Sequence, residues 1–501
     1  MINKRYINIA AVSLLLLAGA SCSEEYLNVP NDGQLTETNY YKNESEAFSG
    51  LVATYDVLRK NTGGFENMVT MMNAGSDDNY AGGGGETDGA GIQSFSNYTI
   101  SQFTVPRSFW SDHYQGVFRA NILLQKLPDV PMDAAKKDRF AAEAKSLRAL
   151  YYFNLVRMFG NIPLLTAPVD PVAMYDVLQS TPQEVYAQIE KDLLEAIEDL
   201  PMSVPSEERG RMTQGSARAL LGKVYLTQGK KSEAAAQLAQ VNGTPGGTSQ
   251  YGYKLLSNFS DLWVTDNKFN TESIIEASHT NLSNAGWGNW GSGTDEGNSA
   301  SVMVGPRGYT KITADAPDIP TGWSFSVFTE DLQAAMKNDP RYAATIFDMK
   351  ALKAAGKADY TPGYKDTGFF LNKFLPTNAD ITDGAGDAVL NYRKNSYVIR
   401  LADTYLMEAE ALGGNGPRAQ ALLDAVRARV GLAPVTVSMD AIKKERRLEL
   451  AGEGHRFFDL VRWGDAARVL GPRGFVAGKN EVFPIPYQEL QNTKLVQNPN
   501  Y

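Results

Sequence analysis

"ARALLGKVYLTQGKKSEAAAQLAQV", residues 217 to 241, decides the fold class. Leu221, Gly222 and Tyr225 are followed, nine residues after the tyrosine, by Ala234, so small residues stand where two helices of one hairpin must approach closely. A hairpin of this kind leaves an apolar face that only a stacked neighbour covers, which predicts further hairpins in the chain.

Those neighbours are visible on both sides. From 133 to 159 the apolar positions Phe140, Ala144, Leu147, Tyr151, Leu155 and Met158 step by three or four and form one helical stripe. "TPQE" then puts Thr181 at an N-cap, Pro182 at the first helical position and Glu184 at the third, a capping box. The stripe Val185, Ile189, Leu193, Ala196, Ile197 and Leu200 follows it. Near the C-terminus Ala402, Tyr405, Leu406, Ala409 and Leu412 precede a "GGNGP" turn and a helix from Arg418 to Val430. Weaker helical patterns cover 45 to 60 and 107 to 127. Leu-Gly-x-x-Tyr followed by Ala is the tetratricopeptide spacing, and about four such hairpins are expected, giving a mainly α scaffold. They lie far apart in the chain, so a specific site is expected in the long insertions between them.

Two insertions stand out. "NAGSDDNYAGGGGETDGAG", 73 to 91, is too rich in glycine for a helix, lacks the Gly-Lys-Ser/Thr of a P-loop and fits no G-x-G-x-x-G frame. The second, Asn284 to Ser326, holds Trp287, Trp290 and Trp323, half of the six tryptophans, among Gly, Ser, Asn and Thr. Rings with so little apolar company in their own segment either fold back on a core or are displayed.

At the start of the chain, Lys4 and Arg5 precede an apolar run from Ile7 to Ala20 and then Cys22, which reads as a secretory leader over residues 1 to 21. Cys22 is the one cysteine, so no intrachain disulfide can form. "GASC" resembles a bacterial lipobox, with Gly19 where Leu, Val or Ile is usual, and predicts cleavage before Cys22 and lipidation of its thiol. Several acyl chains, at about 0.8 kcal/mol per buried CH2, make a durable membrane anchor. The formal charge is -9, and loss of Lys4 and Arg5 with the leader takes it to -11. An acidic chain without a basic run offers nucleic acid no footprint.

Catalytic motifs are missing. The three histidines, His113, His279 and His455, are far apart, no Cys pair exists, and no H-E-x-x-H or G-x-S-x-G occurs. Asp383 and Asp387 in "ITDGAGD" lack EF-hand spacing, so no metal or cofactor is assigned. Asp77 and Asp78 are adjacent, and neighbours in extended chain point to opposite faces, which suits one acid on a ligand hydroxyl and the other bracing the loop. The charged stretch from 446 to 464 sets Glu445 and Glu449, and then His455 and Asp459, at helical i,i+4 spacing around Gly452 and Gly454. With no nucleophile or metal beside it, this cluster reads as ion pairs that clamp two helices across a glycine turn.

"KKERRLELAGEGHRFFDLVRWG" (443 to 464) resembles the signature of the SusD/RagB family of nutrient-binding outer-membrane lipoproteins. "VFPIPYQELQNTKLVQNPNY" (482 to 501) resembles its C-terminal ending. "YLNVPNDGQLTETNYYKNESEAFSGLVATYDVLR" (26 to 59) and "FWSDHYQGVFRANILLQKL" (109 to 127) are similar to its N-terminal half. The resemblance implies a lipoprotein on the outer face of a Gram-negative outer membrane. It would capture oligosaccharides without cleaving them and pass them to a SusC-like TonB-dependent transporter. It also implies a division into the leader, 1 to 21, an N-terminal region with hairpins, 22 to 260, and a C-terminal region, 261 to 501, with the 284 to 326 insertion and the last hairpin.

The ligand site varies within such a family and has to be read from this chain. Sugar rings stack their C–H faces on aromatic rings while their hydroxyls seek polar partners. The expected contacts are Trp287, Trp290, Tyr309 and Trp323 from the second insertion and Asp77, Asp78, Asn79 and Tyr80 from the first. A peptide or glycopeptide cargo, a surface glycoside hydrolase and a protein-binding scaffold are the alternatives.

Overall fold

A computed structural model of the chain describes residues 40–284, 286–290, 295–382 and 384–501. Every predicted stripe in them is a helix: α1 Glu44–Tyr55, α2 Arg107–Lys126, α3 Ala134–Phe159, α4 Pro182–Asp199, α5 Gln214–Thr227, α6 Lys231–Asn242, α7 Leu401–Ala411 and α8 Gly416–Arg429. The Thr181–Glu184 capping box closes in both directions at the start of α4. Helix α8 begins two residues before the predicted Arg418, because the Asn415 side chain caps it by accepting the Gly416 N–H.

The helices pair as α1 with α2, α3 with α4, α5 with α6 and α7 with α8, and each hairpin stacks on the next. Glycine sets the spacing inside the hairpins: a Cβ on Gly222 would lie 2.6 Å from Leu238 Cγ, so only the bare backbone lets α5 reach α6. The main core takes Leu51, Phe109, Leu147 and Leu221 from one side of residue 260 and Leu401, Leu422 and Phe457 from the other. A smaller core gathers Val304, Phe328, Ile346, Phe370 and Leu371 with Val69 and Leu448. Among the described residues no helix is long and apolar enough to cross a membrane.

The charged signature joins the two cores. Helix α9 (Met439–Glu449) is capped by Ser438 and followed, after a turn with Gly452 and Gly454 at positive φ, by α10 (Arg456–Arg462). Buried Arg446 of α9 donates through Nε and Nη2 to both oxygens of Asp459 on α10 and through Nη1 to Asp403 on α7. Burial raises the Asp459 pKa, but Arg446 and Arg462 overcome it and hold the carboxyl down at about 2. Beside them Arg341, Arg400 and Arg429 converge on Glu449. The His455 ring does not pair with the Asp459 carboxylate: its Nδ1 faces Lys223 of α5, and burial pushes its pKa down to about 4, so it is neutral. The ion pairs clamp helices.

Short strands position the insertions. Asn79–Gly82 pairs antiparallel with Phe325–Phe328, Gly82 lying opposite Phe325, so the two segments that looked separate in the chain are one ribbon. Three further two-stranded pairs, 273–277 with 396–400, 310–311 with 358–359 and 346–348 with 369–371, fasten the C-terminal region.

Candidate ligand-binding site

At one end of the Asn79–Gly82 ribbon the three tryptophans of the second insertion meet. Trp287 and Trp323 lie nearly parallel, with centroids 5.9 Å apart and planes 26° apart. Trp290 stands edge-on to both, at 5.7 Å and 5.6 Å. The rings support one another, which a polar loop could not do through apolar neighbours of its own.

Each ring is held differently. Trp290 is half-buried, packs edge-on against Phe65 at 5.9 Å and donates its Nε1–H to Ser299 Oγ at 2.9 Å. Trp323 is anchored by its backbone, which donates to Val302 O, while the next residue donates to Gly305 O. That contact needs glycine on both sides: a Cβ on Gly322 would sit 2.4 Å from Gly305 Cα. Ser324 follows in the left-handed region at φ 61°, where its Oγ accepts the Arg307 N–H at 2.9 Å, a strained residue beside the rings. Trp287 is the most exposed of the three at 59 % and is tied down through its N–H to the Asp387 carboxylate at 3.2 Å.

Polar groups flank the rings on both sides. Arg307 reaches over the Trp323 carbonyl and pairs with Asp88 at 3.2 Å, each about two-fifths exposed. Asp88 in turn accepts the Gly84 N–H of the glycine-rich insertion. Gly83, at φ 88°, passes so close to Phe325 that a Cβ would meet its ring at 2.5 Å, so the glycine run allows the first insertion to lie against the second. On the far side Asn289 and Asp387 border Trp287. Sequence reasoning passed over Arg307, Asp88 and Asn289, because nothing in their local pattern tells them from other loop residues.

The structure separates the other expected contacts from this platform. Asp77 accepts both Nε and Nη2 of Arg456 at 2.8 Å, and Asp78 accepts Nε of Arg447 at 2.7 Å. Of the two acids, Asp78 is 1 % exposed and turned onto the signature helix, the position of the acid that braces the loop rather than of one open to ligand. Burial, and then the neighbouring Asp77, push its pKa up to about 6. Asn79 is likewise buried, with its amide on Ser326 O. Tyr80 lies under the Arg473 guanidinium at 4.9 Å. Tyr80 lies opposite Val327 in the ribbon, beyond the Gly82–Phe325 pair from the Trp323 end. Tyr309 packs edge-on against Phe347 of the second core and donates its hydroxyl to Pro317 O, apart from the three rings. Cys22 and Asp383 lie outside the described residues. Among the described residues no cluster of His, Cys, Asp and Glu is arranged to hold a metal.

Two family models match the chain. "Starch-binding associating with outer membrane" covers residues 25–226, and the SusD family covers 325–474. A solved structure described as a laminarin binding SusD-like protein is 65 % identical, spans 92 % of this chain and 100 % of its own, and superposes with a TM-score of 0.91. Surface glycan-binding protein A from Bacteroides thetaiotaomicron, solved in complex with laminarihexaose, is 27 % identical over 91 % of this chain and 99 % of its own, with a TM-score of 0.81. SusD-like protein P25 of Formosa agariphila is 26 % identical over 97 % of this chain and 96 % of its own length. With the stacked hairpins, the arginine-rich clamp and these matches in agreement, the chain belongs to the SusD/RagB family of outer-membrane glycan-binding proteins.

Proposed function

We propose that this protein captures β-1,3-glucan of the laminarin type on the Trp287, Trp290 and Trp323 platform and hands it, uncleaved, to a SusC-like TonB-dependent transporter. The observation that carries the reading is the platform itself, three mutually supporting rings of which one is 59 % exposed. In β-linked glucose every substituent is equatorial, so both faces of the sugar ring are C–H surfaces that stack on indole. A 1,3-linkage curls the chain, and successive sugars turn relative to one another. Rings set at 26° and about 80° to one another suit a curled chain better than a flat ribbon would. Arg307, Asp88, Asn289 and Asp387 supply donors and acceptors for hydroxyls at the edges. The laminarin binding SusD-like protein and the laminarihexaose complex of surface glycan-binding protein A support the same choice of sugar.

Calorimetry against laminarihexaose, cellohexaose, maltohexaose and a peptide mixture tests this. Saturable binding of laminarihexaose, with weaker or no binding of the others, is expected. Preference for another hexamer or for peptide refutes the ligand assignment. Release of reducing ends from laminarin refutes the non-catalytic role. Anchoring through lipidated Cys22 is part of the same proposal, since capture for a membrane transporter requires residence at that membrane.

A further inference from the structure

"PVAMYDVL", residues 171 to 178, is apolar enough for a core, yet the fold leaves most of it outside one. It lies in the loop between α3 and α4, whose ends are tied by the Ile162–Ser180 bridge. The helical turn Ala173–Asp176 at the tip of that loop buries none of its residues. Val172, Met174, Tyr175 and Leu178 stand in solvent. The end of the chain joins them: the Lys494 N–H donates to Tyr175 O and the Val496 N–H to Gln179 Oε1, which brings exposed Val496 alongside. Tyr487, whose N–H donates to Gln102 O, packs its ring on that of Phe103 at 5.0 Å. The seven side chains are 40 % to 79 % exposed. At roughly 200 Å² of surface each they present on the order of 800 Å², more than the roughly 300 to 600 Å² of the largest apolar patch on a typical monomer. None of them belongs to the tryptophan platform.

A cleft of about 470 Å³ opens within the patch, with Trp110 and Tyr114 of α2 on one side and Met174, Tyr175 and Leu495 on another. Trp110 is 4 % exposed, and its indole N–H has no acceptor among the described residues. A pocket inside an apolar patch is where the anchoring side chain of a protein partner inserts. The charges nearby cancel in pairs, Arg107 on Glu489 at 2.5 Å and Lys494 on Asp176 at 3.0 Å. A surface made for lipid would instead carry unpaired Lys and Arg. Tyr, Phe and Met among few charges are the composition of a protein interface. The patch also begins a short step from the tryptophans. Phe65 packs against Trp290, and the next residue, Glu66, accepts the hydroxyl of Ser108 at 3.1 Å, beside Arg107 at the cleft.

We propose that the SusC-like transporter seats on this patch and inserts an apolar side chain into the Trp110 cleft. The inference rests on the proposed hand-over of glucan, which requires a partner held beside the platform. The exposed area matches the about 800 Å² that each partner contributes to a standard stable interface.

The test places photoreactive benzoylphenylalanine at Leu178 or at Val496 of the full lipoprotein in its native outer membrane, with exposed Leu194 of α4 as the control position. After irradiation, mass spectrometry should find a TonB-dependent transporter cross-linked to positions 178 and 496 and not to 194. Cross-links only to this chain, whether its own or a second copy, only to lipid, or to nothing overturn the proposal. Met174→Asp combined with Leu178→Asp gives the second reading. The double variant should co-purify at least tenfold less transporter than wild type from solubilised membranes, and in isolation it should bind laminarihexaose with wild-type affinity. Transporter recovered at the wild-type level overturns the docking surface and leaves the glucan site standing. A wild type that cross-links to the transporter and ignores laminarihexaose does the reverse.

Discussion

Replacing Trp287 by alanine separates binding from folding more cleanly than any other change at the platform. A tryptophan side chain carries about 250 Å² of surface, so at 59 % exposure about 150 Å² stands free. One sugar face covering half of it removes about 75 Å² from water, or about 1.9 kcal/mol at 25 cal/mol/Å². Affinity for laminarihexaose should therefore fall about 20-fold. Folding should suffer little, because the ring's aromatic contacts are the two other platform tryptophans and its backbone tie to Asp387 survives the change. Trp290→Ala behaves differently. It removes the Nε1–H bond to Ser299, whose Oγ also accepts the Gly64 N–H, and it unpacks Phe65. That variant should lose stability toward the low end of the about 3 to 5 kcal/mol seen for buried aromatic truncations, as well as affinity. Calorimetry of each variant beside its thermal melt measures both. If Trp287→Ala binds laminarihexaose within twofold of wild type, the platform is not the glucan site. If its melt collapses as that of Trp290→Ala does, the ring is a loop anchor.

Asp459→Ala should destabilise the protein by about 3 to 5 kcal/mol in urea unfolding, because it strips a buried carboxylate from Arg446 and Arg462, while affinity per folded molecule stays at the wild-type value; lost affinity with unchanged stability would make the signature a site. Stability should also fall in mild acid. His113, His279 and His455 have pKa values pushed down to about 4 by burial, against about 6.5 unfolded, so their contribution is whole above about 6.5 and is lost as pH falls toward 4. Asp78, raised to about 6, works the other way, as do Glu272, Glu276 and Glu296, also raised by burial, while the clamp carboxyls Asp403, Glu449, Glu453 and Asp459, held down by the cations around them, lose their contribution in acid together with the histidines. Urea midpoints at pH 7, 5.5 and 4.5 should therefore descend, and a flat or rising series refutes the reasoning. Cys22→Ser should abolish labelling by a clickable fatty acid and release the protein from outer membranes; an unlabelled wild type refutes lipidation.

The helices needed only local information. The stripe from Phe140 to Met158, the Thr181–Glu184 box and the Gly222–Ala234 spacing each lie within a few turns of chain, and each folded where its periodicity placed it. The charge pattern from 446 to 464 likewise announced a clamp, because arginines and acids on two helices around a glycine turn, with no nucleophile beside them, have few other uses. What faced what could not be read this way. Asp77 and Trp287 both sit in polar, glycine-rich loops, yet one is locked to Arg456, 379 residues away, and the other is displayed. The pairing of Gly82 with Phe325 decides this: it joins segments more than 200 residues apart, and backbone hydrogen bonds between strands carry no side-chain signal that one segment shows alone. The tryptophans advertised themselves by composition, but their partners Phe65 and Asp387 come from two other parts of the chain. A loop of polar residues has no periodicity to constrain its path. Its shape is set by the surfaces it lands on, and those exist only once the hairpins have stacked.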